Sequence, residues 1–231
     1  MFFYNPTYML YMLPAILLML LTQWYVNSAY KKWSKVPTRS RLTGRQVAER
    51  LISYSGLYDV KIEPVSGRLS DHYDPRTNIL RLSPAVADGD SVASLAIAAH
   101  ELGHAMQDQE GYALLRLRSA IVPAVNIGSY LGWILILLGL FLGMTGLAWV
   151  GVAVFSGGAV FALATLPVEL NASARAKRML TESGFITEES ERRGVNKVLN
   201  AAALTYVAAL ITAVLQLFYY VSLVLGMGRR R

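Results

Sequence analysis

Four stretches of this 231-residue chain are apolar for long enough to cross the hydrocarbon core of a bilayer, and the charged residues collect between them. The first runs from about Tyr8 to Val26, and Pro14 inside it is tolerated in a membrane helix. The second and third, Ile121 to Gly143 and Leu147 to Leu166, are parted only by Met144-Thr145-Gly146 and so form a hairpin. Glycines along both, such as Gly128, Gly132, Gly139, Gly151, Gly157 and Gly158, either allow close helix contact or are ordinary span composition. The fourth runs from Ala201 to about Gly226. Trp24, Tyr25, Tyr30 and Trp33 close the first stretch as an interfacial aromatic belt.

Between the first and second stretches the pattern changes to that of a small water-exposed α+β unit. Thr43 caps a helix through Tyr54, with Val47, Leu51 and Ile52 as its apolar stripe and Gly56 as its stop. Tyr58 to Val65 alternates as a strand, and Asp74-Pro75-Arg76-Thr77-Asn78 is turn chemistry. Ile79 to Leu82 is a second short strand; the segment Asn78 to Leu82 either offers an edge to an extended substrate or is a core strand with no ligand. Asp90 or Ser91 caps a helix that opens on the apolar run Val92 to Ala99 and continues to Gln107 or Gln109. After the third apolar stretch, Pro167 is expected to end the span and Val168 to begin a polar helix. Gly184 breaks that helix, and a further helical piece starts near Thr187.

Composition agrees with this division. Hydrophobic residues make up 54% and charged residues 16%, with a mean hydropathy of +0.38, which is the balance of an integral membrane protein. No Lys or Arg precedes the first stretch and no small-residue cleavage site follows it, so it reads as a retained anchor. Of the net charge of +7, segments 27–120 and 167–200 carry +4, since 19 of the 22 Lys and Arg residues and all 15 acidic ones fall there. An even number of spans puts those segments on one side, which the positive-inside rule makes the cytoplasm; only Arg229, Arg230 and Arg231 fall on the other. The basic run Lys31, Lys32, Lys35, Arg39, Arg41 and Arg45 is then a topogenic flank. It lacks the aromatic platforms of a nucleic-acid surface, and no nucleic-acid partner is expected. With no cysteine, disulfides and a thiolate metal site are excluded.

The candidate chemistry lies in His100-Glu101-Leu102-Gly103-His104. Residues four apart share a helix face, so His100 and His104 can both reach one metal ion, with Glu101 beside it as a general base. With three histidines and nine glutamates in the chain, about 0.0015 chance matches to this pattern are expected, so the motif is a strong signal. A hydrolytic zinc site needs a third protein ligand and an open position. Two residues qualify: His72, in the turn-like stretch Ser70 to Asp74, and Glu169, two residues past Pro167.

Several segments together resemble the YugP-type neutral zinc metallopeptidase family. They are His100 to Gln107, Asp71 to Thr77, Leu117 to Ala120, Leu166 to Glu169 and Val198 to Tyr206. The resemblance runs nearly end to end, including four spans in the same places. It implies a membrane zinc peptidase with one Zn2+ on His100, His104 and Glu169, and with Glu101 as the base. In the wider glutamate-liganded group the second helix often reads Glu-x-x-Ala-Asp; here Glu169 and Ala172 fit but Ser173 replaces the acid, leaving Asn171 or Ser173 to orient a ligand histidine. His72, Tyr206 and Arg175 are candidates to steady an oxyanion or contact substrate.

The expected fold class is mostly α: four transmembrane helices plus a small α+β zincin-like metal domain at the membrane surface. Its parts are an N-terminal anchor (1–30), a cytoplasmic zincin-like domain (31–120), a transmembrane hairpin (121–166), helices carrying the third ligand (167–200) and a C-terminal span (201–231). The expected function is endopeptidase action on membrane-associated polypeptides at the cytoplasmic surface of a prokaryotic cell membrane. The competing reading is an inactive membrane adaptor retaining a structural metal, which the intact Glu101 and the absence of cysteine disfavour. A transporter is disfavoured by spans free of acidic and basic residues.

Overall fold

The computed structural model describes residues 6–228; Arg229, Arg230 and Arg231, used above in the charge count, lie outside the described residues. Eight helices and three strands follow in the order α1 (Pro6–Trp33), α2 (Gly44–Tyr54), β1 (Lys61–Pro64), β2 (His72–Asp74), β3 (Ile79–Leu82), α3 (Pro84–Ala87), α4 (Val92–Gln109), α5 (Ala113–Phe141), α6 (Thr145–Phe155), α7 (Gly157–Glu182) and α8 (Glu189–Gly228). The fold is mostly α with a small α+β region. Four helical segments, Pro6–Trp33, Ala113–Phe141, Thr145–Glu182 and Glu189–Met227, are long and apolar enough to cross a membrane.

The described residues divide into two compact units, one of 6–22, 116–167 and 205–228, the other of Gln23–Leu115 and Val168–Leu204. In the first, Met12, Ile136, Ala148, Val152, Tyr219, Tyr220 and Val224 form the buried centre. Here α5 and α6 approach closely where side chains are absent: a Cβ on Gly139 would lie 2.5 Å from the amide nitrogen of Ala148, and one on Gly151 2.6 Å from that of Ile136.

In the second unit α4 is the central rod. It is apolar almost all round because it is buried almost all round, from Val92 to Ala99 and again at Leu102 and Ala105. Around it pack Val47 and Leu51 of α2, Leu80 and Leu82 of β3, Met179 and Leu180 of α7, and Val195 and Leu199 of α8. Thr43 starts α2 with a capping box completed by Gln46, and Ser91 caps α4 by accepting from the Ser94 amide. The sheet order is β1-β3-β2, with β1 parallel and β2 antiparallel to β3.

Three expectations need correction. The strand Ile79–Leu82 is central, paired on both sides, so it has no edge for a substrate. The three residues His72–Asp74, expected to be a turn, are an edge strand instead, too short and too polar to show alternation. Pro167 does not end its helix: α7 continues through it to Glu182. Proline removes one donor and crowds one carbonyl, and a helix packed by its neighbours absorbs that. The helical piece expected near Thr187 starts at Glu189 and runs on through the fourth apolar stretch as the single helix α8, to Gly228.

Glu191 anchors the start of α8. Its side chain is buried and accepts from the backbone amides of Arg39 (2.6 Å), Thr187 (3.3 Å) and Glu188 (3.2 Å). Glu191→Ala strands those three donors and should lower stability by about 2 kcal/mol or more, read as a lower melting temperature in detergent. An unchanged melting point would mean the bonds are dispensable.

Candidate metal centre

Three donors converge in the second unit. His100 and His104 sit one turn apart on α4, and Glu169 faces them from α7. The Glu169 carboxylate oxygen Oε2 lies 3.2 Å from His100 Nε2 and 3.5 Å from His104 Nε2, and the donor atoms of the three residues all fall within 4.8 Å of one another. Two donors bound at about 2.0–2.1 Å to one tetrahedral zinc lie roughly 3.3–3.4 Å apart, so the spacing suits such an ion. Among the described residues this is the one group of three such side chains so placed, and His72 is not in it.

The approach of α7 depends on two small residues. A Cβ on Gly103 would sit 2.5 Å from the carbonyl oxygen of Ala172, so the glycine between the two histidines is what lets the helices come this close. Ala172 is three residues on from Glu169, on the same face of α7. The carboxylate is thereby carried into a position only 1% exposed.

The hydrogen bonds around the imidazoles fit a donor set that could hold a cation. Gln107 Nε2 donates to the Val168 carbonyl (2.8 Å) and to Asn171 Oδ1 (2.9 Å), both of which can only accept. Gln107 Oε1 is therefore an acceptor, and its partner 3.0 Å away, His104 Nδ1, must carry the proton. A neutral His104 then points its Nε2 lone pair at the Glu169 carboxylate. Two lone-pair-bearing groups at 3.5 Å in a buried site repel unless a proton or a metal lies between them. For the proton, burial pulls the His104 pKa down, but the bond to Glu169 and the charge of Glu101 outweigh it and lift the value above that of ordinary histidine. On His100 the other ring nitrogen meets Ser173 Oγ at 3.2 Å. Both histidines thus have the buttressed Nδ1 and free-facing Nε2 of metal ligands, and the donor set fits zinc.

The support extends outward from the site. Asn171 Oδ1 also accepts from Arg175 Nε at 2.7 Å, and the Arg175 guanidinium grips Glu110 with two bonds of 2.6 and 2.7 Å. Asn171 and Ser173, the two residues considered from sequence, both lie in this network. Sequence reasoning missed Gln107, because its full burial and its acceptors Val168 and Asn171 on α7 leave no local signal.

Glu101 is held from another side. Its Oε2 accepts the backbone N–H of Tyr73 in β2 at 3.1 Å. The Tyr73 hydroxyl lies 3.0 Å from Asp108 Oδ2, two turns further along α4, so β2 is pinned to the helix at two points. Asp71 fixes the entry to β2 by accepting from the amide (2.7 Å) and hydroxyl (3.1 Å) of Ser83. Burial pushes the Glu101 carboxyl above its usual range; His100 and His104 pull the other way, and Glu169 and Asp71 add to the rise.

The three further candidates are placed differently. Arg175 is engaged by Glu110 and Asn171 as described. His72 is exposed on β2; its Nδ1 lies 2.8 Å from the Ser70 carbonyl and must donate to it, leaving Nε2 as an acceptor facing Arg81 at 3.5 Å. A neutral His72 therefore has no free donor for an oxyanion. Tyr206 lies on α8 in the first unit.

Comparison with known proteins completes the picture. Residues 8–225 match the family described as "Putative neutral zinc metallopeptidase". The chain belongs to that family. A curated relative, "Putative membrane protease YugP" of Bacillus subtilis (strain 168), is 47% identical over 204 residues, covering 88% of this chain and 90% of that protein. No solved structure matches. With four apolar helices and this relative, the chain is a membrane protein of a zinc metallopeptidase family.

Gln107→Leu keeps the volume but removes the acceptor that fixes the His104 tautomer. Zinc affinity should fall about 10–100-fold, measured by competition with a chromophoric chelator. Unchanged affinity would mean that Gln107 does not orient the ligand.

Proposed function

We propose that this chain is a zinc-dependent endopeptidase that cleaves membrane-associated polypeptides at the cytoplasmic surface of a prokaryotic cell membrane. The observation that carries the proposal is the pairing of a three-donor cluster, His100, His104 and Glu169, with a carboxylate, Glu101, fixed beside it by a strand amide. His100 and His104 through Nε2, and Glu169 through its carboxylate, would hold one zinc ion, which would supply Lewis acidity to the scissile carbonyl and make water a nucleophile near neutral pH.

The remaining steps belong to the protein's own groups. Glu101 takes a proton from the attacking water and returns it to the leaving amine, completing hydrolysis without net proton uptake. The Tyr73 amide keeps one Glu101 oxygen oriented, so the other is available to the reacting proton. Gln107 and Ser173 hold the imidazoles in the tautomer and rotation the donor set requires.

The position of Glu169 supports action at the membrane surface. It follows Leu166, the last residue of the third apolar stretch, by three residues, or about 4.5 Å of helix rise. A carboxylate at the bilayer centre costs about 2.5–3.5 kcal/mol even on the mildest scale, so the ligand belongs near the interface. The cytoplasmic side is supported by the 19 of 22 Lys and Arg residues that fall in segments 27–120 and 167–200. The relative's description as a membrane protease accords with a polypeptide substrate.

Two variants test the assignment in purified full-length protein. Glu101→Gln should retain zinc by elemental analysis while casein cleavage drops about a hundredfold or more; full activity would end the role given to Glu101. Glu169→Ala should lose zinc, and unchanged metal content would redirect the search for the third ligand.

A further inference from the structure

A concavity lies in the same unit as the donor cluster, between the C-terminal end of α1 and the first turns of α8. It is a cleft of about 490 Å³. One wall carries Ser28 and Lys32 of α1, and the other Ser190, Arg193 and Lys197 of α8, with Trp33 between them. Ser190, Arg193 and Lys197 are spaced i, i+3, i+7, and Ser28 and Lys32 are i, i+4, so each set occupies one helix face. The two helices come together here because position 194 has no side chain: a Cβ on Gly194 would lie 2.6 Å from the Trp33 ring.

The cleft is strongly and uniformly positive. Lys32, Arg193 and Lys197 all line it, and no carboxylate does. The nearby acids on α8 are committed elsewhere: Glu188 to Arg39, Glu189 to Arg192, and Glu191 to backbone amides. Lys32 makes a cation–π contact with Trp33 at 5.2 Å, and among the described residues none of the three cations has an ion-pair partner. Three like charges gathered at one concavity repel one another, and an anion relieves that repulsion. The serine hydroxyls add neutral donors suited to phosphate oxygens.

The depth of the cleft along its helices selects the kind of anion. Ser28 is two residues beyond the last residue of the first apolar stretch, and Lys197 is four residues, about 6 Å of rise, before the start of the fourth. Both walls therefore stand at headgroup level. Tyr25 also lines the cleft, and Trp24, four residues before Ser28 on the same helix face, is 68% exposed. An interfacial aromatic beside a basic notch offers apolar surface to an acyl chain and cations to its head group. The geometry points to a binding site for the phosphodiester head group of an anionic phospholipid. This site is independent of the peptidase reading, and it stands or falls separately from it.

Native mass spectrometry of the full-length protein in detergent tests it, using phosphatidylglycerol and phosphatidylcholine of identical acyl chains. The wild type should retain phosphatidylglycerol over phosphatidylcholine by about tenfold or more. Lys32→Gln/Arg193→Gln/Lys197→Gln should bring the two lipids within about twofold of each other, while the charge-keeping Lys32→Arg/Arg193→Lys/Lys197→Arg retains the preference. Removing three exposed charges elsewhere, Arg50→Gln/Lys61→Gln/Arg178→Gln, should leave it intact. A wild type without preference overturns the proposal whatever the variants do. So does selectivity that survives in the first variant or that is lost equally in the last. Displacement of the lipid by excess inorganic phosphate would mean a site for a small free anion and would overturn the lipid assignment.

Discussion

The site depends on a repulsion that the fold creates and does not itself relieve. α7 drives the Glu169 carboxylate into a nearly water-free position against two imidazoles, and the amide of Gln107 dictates that one of them present its lone pair. Left alone, that arrangement costs free energy through desolvated, like-signed electron density. A divalent cation turns each of those contacts into an attraction. The burial of α4, the glycine at 103 and the alanine at 172 are the means by which the contacts are enforced.

What orients the donors is a directional chain of hydrogen bonds that begins at the surface. Glu110 neutralises Arg175, Arg175 and Gln107 both donate to Asn171, and Gln107 accepts from His104. Every member has one role open to it, because carboxylates and carbonyls only accept and guanidinium only donates. The pair at the outer end is bidentate, with Arg175 mostly covered and Glu110 about half exposed. Its effect is to keep Asn171 from rotating, and through Asn171 and Gln107 to keep His104 in one tautomer. On the other flank, β2 serves Glu101 in the same way, its Tyr73 amide and hydroxyl gripping α4 two turns apart.

The sequence disclosed those parts of this arrangement that depend on local spacing. His100 and His104 are legible because a helix repeats every 3.6 residues, and the four apolar stretches because a bilayer has a fixed thickness. The cap at Thr43 and the strand at Ile79–Leu82 were equally local. What escaped depends on tertiary packing. Pro167 reads as a helix end but lies within α7, and β2 is too short to carry a period of its own. The choice between His72 and Glu169 could not be made from residue types; the resemblance favoured Glu169, and the coordinates bring Glu169 to the imidazoles while leaving His72 bonded to Ser70 and beside Arg81. Gln107 became visible only with its partners Val168 and Asn171, some sixty residues away in sequence.

The chain contains no cysteine, which allows Glu169 to be marked without background. Zinc K-edge X-ray absorption on the zinc-loaded Glu169→Cys variant reads the third ligand directly. If residue 169 binds the metal, a single sulfur scatterer joins the histidine nitrogens at about 2.3 Å. Bound zinc with only nitrogen and oxygen neighbours would contradict it.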